Sequence, residues 1–197
     1  MQNNKFFGYG SLVNAQTHDY PNAKPAQLDG WRRTWVHTNL RPFLSVAPGP
    51  GAIDGLIADV PGADWAALDH RERAYDKHPV NVMLHDCGTE SSAQVYAVPH
   101  IHAAPPDTLH PVLLSYIDVV VQGYLQVFGE AGAIRFFETT DGWDAPILND
   151  RAAPVYTRNQ VLSEWETGFV DAWLAELSAV VPEAHEPPLT RKGLGMR

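Results

Sequence analysis

Glu72 is the residue of this chain best placed to do chemistry. Read as helix, the surrounding stretch puts Trp65, Leu68, Glu72 and Tyr75 on one face, which turns a carboxylate toward the apolar interior. An ionised carboxylate is costly to bury. It is therefore either paired with a cation, for which Arg32, Arg33 and Arg41 are available, or held with a raised pKa. A raised pKa is what a general base and acid needs. A structural ion pair satisfies the same pattern, and a helix boundary displaced by one residue leaves Glu72 at the surface.

The second chemical feature is Phe7-Gly8-Tyr9-Gly10-Ser11-Leu12, a strand ending in glycines that flank an aromatic and precede a small hydroxyl. Glycines let the backbone approach a ligand, and successive N–H groups in such a turn can cradle a carboxylate or an oxyanion. Ordinary turns supply the same Gly-x-Gly step, so the motif needs a partner elsewhere in the chain.

Among nine histidines, His100 and His102 would point the same way on a strand, with His78, His85 and His110 nearby in sequence. Pro99, Pro105 and Pro106 mark that stretch as loop and no carboxylate joins it before Asp107, so structural or exposed roles are expected and no metal. Cys87, the single cysteine, excludes an intrachain disulfide and any cysteine cluster for zinc or iron and sulfur. It lies beside Gly88 without a partner that would lower its pKa, and it fits a reducing compartment.

These residues need elements to position them, and the chain reads as α+β. Lys5 to Gly8, Trp31 to Thr38, Phe43 to Val46, Ala52 to Val60, Pro79 to His85 and Ala93 to Val98 read as about six strands, enough to curl into a small barrel or a strongly twisted sheet. Asp64 is a candidate cap for the short helix carrying Glu72. A long helix from about Thr108 to Phe128 places Leu109, Leu113, Tyr116, Val120, Tyr124 and Val127 on its buried stripe. A further helix opens near Thr157, with Gln160 completing a capping box and Leu162, Trp165, Phe169, Trp173, Leu177 and Val180 along one face. From Pro182 onward there is no periodicity, and residues 182–197 are expected to form a mobile tail.

Composition sets the outer bounds. With 197 residues and 45% hydrophobic side chains the chain suits one folded unit, spanning residues 1–181. Its 14 Lys and Arg against 23 Asp and Glu give a net charge of −9, which argues against nucleic acid, since counterion release requires cationic side chains. No apolar run approaches the length needed to cross a membrane, and the polar start of the chain lacks the pattern of a signal peptide. A cytoplasmic protein is expected.

Tyr9, Gly10, Ser11 and Leu12, followed some sixty residues on by Glu72 in an Arg-Glu pair before Tyr75, resemble the γ-glutamylcyclotransferase family. The likeness extends to Leu28-Asp29-Gly30-Trp31-Arg32-Arg33-Thr34-Trp35, to Gly51-Ala52-Ile53-Asp54-Gly55-Leu56 and to Leu68-Asp69-His70-Arg71-Glu72-Arg73-Ala74-Tyr75, in order over about residues 5–128. Ser115-Tyr116-Ile117 with Gln122-Gly123 is similar to the family's later helix.

The resemblance implies a small mixed β-barrel with packed helices that releases 5-oxoproline from γ-glutamyl compounds without a cofactor. Such a substrate carries nucleophile and electrophile in one molecule. The protein has only to hold the curled conformer and carry a proton from the attacking ammonium to the leaving amine. Glu72 matches the catalytic glutamate, and Tyr9, Gly10, Ser11 and Leu12 match the segment that receives the γ-glutamyl group. Tyr116 matches the pocket tyrosine, although a core aromatic on an amphipathic helix explains it equally well. Arg32 or Arg33 could meet the substrate carboxylate or simply face solvent, and neither belongs to the catalytic set. A pocket that binds γ-glutamyl compounds without turnover, as in a regulatory protein, is the alternative. Leu12 stands where the family turn often has Asn. Beyond Gly129 the match fades, and Phe136 to Val181 is an extension that could cover the barrel, complete a pocket or form a homodimer contact.

Overall fold

A computed structural model describes residues 4–37, 42–99 and 104–177. Thr38, Arg41, His100, His102, Val180 and residues 182–197, for which expectations were given above, lie outside the described residues.

The chain alternates short apolar strands with a few helices. Strand β1 (Lys5–Gly8) pairs antiparallel with β3 (Pro42–Asp59) and parallel with β5 (Glu90–Ala97). β5 pairs with β4 (Asp76–Leu84), β4 with β2 (Lys24–His37), and β2 with β3, which closes the ring. The result is a closed mixed β-barrel with packed helices, as the α+β reading anticipates.

β2 begins seven residues before the expected Trp31, because Ala26 and Leu28 point inward while Gln27 and Asp29 alternate outward. The two strands expected at Phe43–Val46 and Ala52–Val60 are halves of the single strand β3. Pro48 and Pro50 are tolerated within it because that stretch pairs on one side only, with β2, at a register shift between Asp29 and Trp31.

Helix α1 (Ala66–Arg71) is short: Asp64 Oδ1 accepts from the Ala66 N–H at 3.1 Å, and Glu72 sits at the C-terminal cap with its N–H donating to Leu68 O. Helix α2 (Leu114–Glu138) starts six residues later than expected. Asp107 folds its carboxylate onto the N–H groups of Leu109 and His110, Leu109 is 83% exposed, and β6 (Val112–Leu113) pairs with β8 (Ile147–Leu148). The helix then runs ten residues past Phe128. Gly129, at φ +66°, interrupts the hydrogen-bond ladder and divides it into two halves. β7 (Thr140–Asp141) adds to the far end of β2.

The last helix, α3 (Glu164–Glu176), opens at Ser163 rather than Thr157, with a capping box made by Ser163 and Glu166. Its buried seam is Val170 and Leu174, and Trp165 is 58% exposed. One core joins barrel and extension: Phe7, Leu28, Trp35 and Ile53 from the strands, Ile117, Tyr124, Phe136 and Phe137 from α2, and Val170 and Leu174 from α3. Each fully buried side chain of this size contributes about 1.5–3 kcal/mol of burial.

Candidate active site

The site is built at the end of β1. The chain leaves the barrel at Tyr9, turns at Gly10 and enters a short 3-10 turn, Ser11–Val13, whose first N–H groups have no acceptor within the turn itself. This turn is held from behind. Tyr9 O accepts from Tyr124 Oη at 3.0 Å and from Arg33 Nε at 3.3 Å. Arg33 is completely buried. Its other donors reach Thr139 Oγ1 (2.6 Å), Tyr124 Oη (2.5 Å) and Asp54 O, and its guanidinium lies 5.0 Å from the Tyr124 ring centre. Burial pushes the Tyr124 hydroxyl up to about 12, so it remains a donor. One turn further on, Asn14 Nδ2 donates to Val119 O and to Gln122 Oε1, both at 3.0 Å, and fastens the turn to α2.

Glu72 faces this turn from the end of α1, with its side chain 15% exposed. Among the described residues it pairs with Arg71, whose Nε lies 3.1 Å from Glu72 Oε1. Arg71 Nη1 donates to Thr17 O at 3.0 Å, and its Nη2 donates to Ser11 Oγ (3.2 Å) and Thr17 Oγ1 (3.3 Å). The guanidinium thus bridges the acid and the turn. Of the arginines considered from sequence, Arg33 is behind the turn and Arg32 pairs with Asp141 at the far end of β2 (2.7 Å), so neither does this, and Arg41 lies outside the described residues.

Acid and turn meet in a cleft of two chambers. The inner one, about 30 Å³, is lined by Phe7, Gly8, Tyr9, Gly10, Ser11, Leu12 and Tyr96. The outer one, about 110 Å³, is walled by Trp35, Phe43, Arg71, Val112, Tyr156 and Arg158. Ser11, Leu44, Glu72, Tyr75 and Tyr116 belong to both. Among the described residues lining the chambers, Glu72 is the only carboxylate.

Its negative charge is felt by the phenols around it. Tyr9 is held well above the usual tyrosine range by burial, then by Tyr116 and Glu72. Tyr75 is raised by burial and by the same neighbours, and Tyr116 by burial, Tyr156 and Glu72. All therefore stay protonated hydrogen-bond donors at neutral pH. Tyr9 Oη donates to Tyr96 O (2.5 Å), and Tyr75 Oη to Leu44 O (3.1 Å). The Tyr116 hydroxyl rests against the turn and leaves no room for a side chain at position 10, where a Cβ would lie 2.6 Å from it. Only glycine fits that approach.

The structure therefore gathers Glu72, Tyr9, Gly10, Ser11, Leu12 and Tyr116 around one cleft. Leu12 contributes chiefly packing, against Phe6, Ala58, Val60, Leu68 and Tyr96. Sequence reasoning missed Arg71, Tyr75, Trp35, Tyr156 and Arg158 as site residues. Arg71 carried a signal, since it adjoins Glu72. Tyr156 and Arg158 carried none, because the reading placed a helix start among them. Away from the chamber walls, His37, Asp107 and His110 bring ligand-type atoms within 4.8 Å of one another, with His110 Nδ1 2.9 Å from Asp107 Oδ1.

A closed α+β barrel with one polar cleft at the end of its first strand is the class of protein that fold and site define. Residues 6–115 match the γ-glutamyl cyclotransferase, AIG2-like family, and the chain belongs to it. Among solved structures, a γ-glutamyl cyclotransferase is similar at 16% identity with a TM-score of 0.56, covering 85% of this chain and 98% of that one. YkqA from Bacillus subtilis is similar at 14% identity with a TM-score of 0.57, covering 70% of this chain and 54% of the other. These likenesses show the fold. No curated protein matches the sequence. Among the described residues, no helix is long and apolar enough to cross a membrane.

Proposed function

We propose that this chain is a γ-glutamyl cyclotransferase of a reducing, cytoplasmic setting, and that Glu72 is its proton carrier. The observation that supports this most is the meeting of a mostly buried carboxylate, the only one among the described residues of the cleft walls, with the Tyr9–Leu12 turn in one narrow chamber. A γ-glutamyl compound curled there brings its α-nitrogen onto its own γ-carbonyl carbon, so ring closure profits from the effective molarity of an intramolecular reaction. Glu72 takes a proton from the α-ammonium. The freed amine attacks the carbonyl, a C–N bond forms, and the carbonyl oxygen becomes an oxyanion facing the backbone donors. When the oxyanion collapses, the original amide C–N bond breaks and the departing nitrogen takes the proton from Glu72. A second proton passes from the lactam nitrogen to the amine, giving 5-oxoproline and a protonated amine or amino acid.

Atoms and charge balance within the substrate and one carboxylate, and no electrons change hands, so the step calls for no cofactor. Arg71 orients Glu72 and ties it to the turn. The tyrosines fill the chamber with protonated hydroxyls that cannot compete with Glu72 as bases.

The test is release of 5-oxoproline from a panel of γ-glutamyl amino acids, γ-glutamyl amines and glutathione. Glu72→Gln is expected to lower the rate by about 10²–10⁴-fold while leaving the folded state intact. Undiminished product from that variant would remove Glu72 from the mechanism. Calorimetric binding of these compounds without product would favour the non-catalytic binding alternative.

A further inference from the structure

We infer that the outer chamber is built for a leaving group that carries a carboxylate, so that γ-glutamyl amino acids and peptides are favoured over γ-glutamyl amines, and that Arg158 makes this selection. The inference rests on the cyclotransferase reading above. Glu72 stands on the wall common to both chambers, so the bond that breaks lies at their junction. The glutamyl part goes inward to the turn. What departs occupies the outer chamber.

That chamber has an unusual charge balance for this chain. The whole sequence carries −9, yet among the described residues the charged ones of the outer wall are Arg71, Glu72 and Arg158, a net positive set. Arg71 is already engaged by Glu72, Ser11 and Thr17. Arg158 is exposed, and its guanidinium has no hydrogen bond or ion pair among the described residues; its backbone carbonyl accepts from Gln160. A strongly acidic protein repels an anion at long range, and a local guanidinium overcomes that within a Debye length of about 8 Å.

Arg158 is also held in place. Asp150 accepts from Ser115 N (2.8 Å), Ser115 Oγ (2.6 Å) and Val155 N (2.8 Å), and Arg151 grips Asp118 through two 2.7 Å bonds and Asp171 at 2.6 Å. The segment between them and Ser163 is thereby pinned to α2 and α3, and Tyr156 stacks edge-on against Tyr116 with ring centres 5.0 Å apart. It lies beyond the residues 6–115 that the family model matches.

The experiment compares two substrates that differ only by the carboxylate: γ-glutamyl-alanine and γ-glutamyl-ethylamine. For the intact protein kcat/KM is expected to favour the alanine compound by about 10- to 100-fold, the range of one charge-assisted hydrogen bond. Arg158→Ala should abolish most of that preference by raising KM for γ-glutamyl-alanine several-fold more than for γ-glutamyl-ethylamine, and Arg158→Lys should restore part of it. Equal turnover of both compounds by the intact protein, or an equal loss on both in Arg158→Ala, overturns the inference. If neither compound yields 5-oxoproline, the cyclotransferase reading fails separately. Calorimetry on the same pair then decides: tighter binding of γ-glutamyl-alanine that Arg158→Ala removes supports the selection, and equal or absent binding overturns it.

Discussion

A carboxylate and a guanidinium adjacent in sequence rarely serve the same site, because neighbours on a helix point about 100° apart. Arg71 and Glu72 do so here because α1 ends between them: Glu72 has left helical geometry, at φ −100° and ψ 27°, and its side chain swings back onto the Arg71 guanidinium. Periodicity made Glu72 legible as an inward acid and Arg71 adjoins it, but their pairing was not readable, because a helix that stops there is not what the apolar spacing to Tyr75 suggests. Arg33 shows the same limit from the other side. Its position beside Arg32 on a strand identifies two cations on opposite faces, yet nothing in the sequence says that the inward one is wholly buried. Arg33→Met should cost about 3–5 kcal/mol, because the carbonyl and hydroxyl groups it satisfies are left unmatched in the core. Urea unfolding measures this, and a loss below about 1 kcal/mol would contradict the contacts described. Arg32→Met, at the exposed pair with Asp141, should cost no more than about 1 kcal/mol.

At the scale of elements, the strands were read correctly in kind and the helices in number, but the boundaries moved wherever a side chain outcompeted the apolar pattern. Asp107 stops α2 from starting early, Ser163 with Glu166 delays α3, and Gly129 interrupts α2 without ending it. The delay of α3 matters most, since it frees the segment that walls the outer chamber. A second consequence of local pairing is pH dependence. His18 Nε2 donates to Leu12 O at 3.0 Å and Nδ1 accepts from Tyr20 N at 3.1 Å, an arrangement that requires a neutral ring. Burial lowers its pKa from the ordinary 6.5, with nearby Arg71 acting the same way and the Leu12 carbonyl and Asp19 opposing. The unfolded chain therefore binds this proton first on acidification. The stability is complete above about pH 6.5 and falls as the pH drops through the window down to the depressed folded value. Melting temperatures between pH 8 and pH 5 should decline, and the decline should be smaller in His18→Asn. Equal slopes would show that His18 is not the group responsible. Asp59 and Asp69, whose pKa values are lowered by hydrogen bonds to Asn22 and to Tyr96 and Lys77, add acid sensitivity only below the ordinary carboxylate range.

For the whole molecule, barrel and extension share one core, so the extension is structural as well as part of the cleft wall. A chain ending at Asn149 removes the buried Val170 and Leu174 together with Tyr156 and Arg158. The two aliphatic side chains alone account for about 3–6 kcal/mol, or roughly a 10 °C fall in melting temperature, apart from the lost outer wall. A truncated chain that melts at the same temperature would show that the extension merely decorates the barrel. Fold class was legible from short, alternating strands; the ring closure of β2 on β3 was not, because it depends on two strands far longer than their Pro and Gly content suggests. The break in α2 completes the picture. Its first half carries Tyr116 to the mouth of the cleft, and its second carries Arg135 to Asp54 at 2.7 Å. The ladder is cut between them, yet Tyr124 of the first half packs on Phe136 of the second with ring centres 5.0 Å apart, and the Arg33 guanidinium lies over both rings. The two halves are thus separate in backbone and clasped through one buried cation, so a change at Arg33 should be felt on both sides of Gly129.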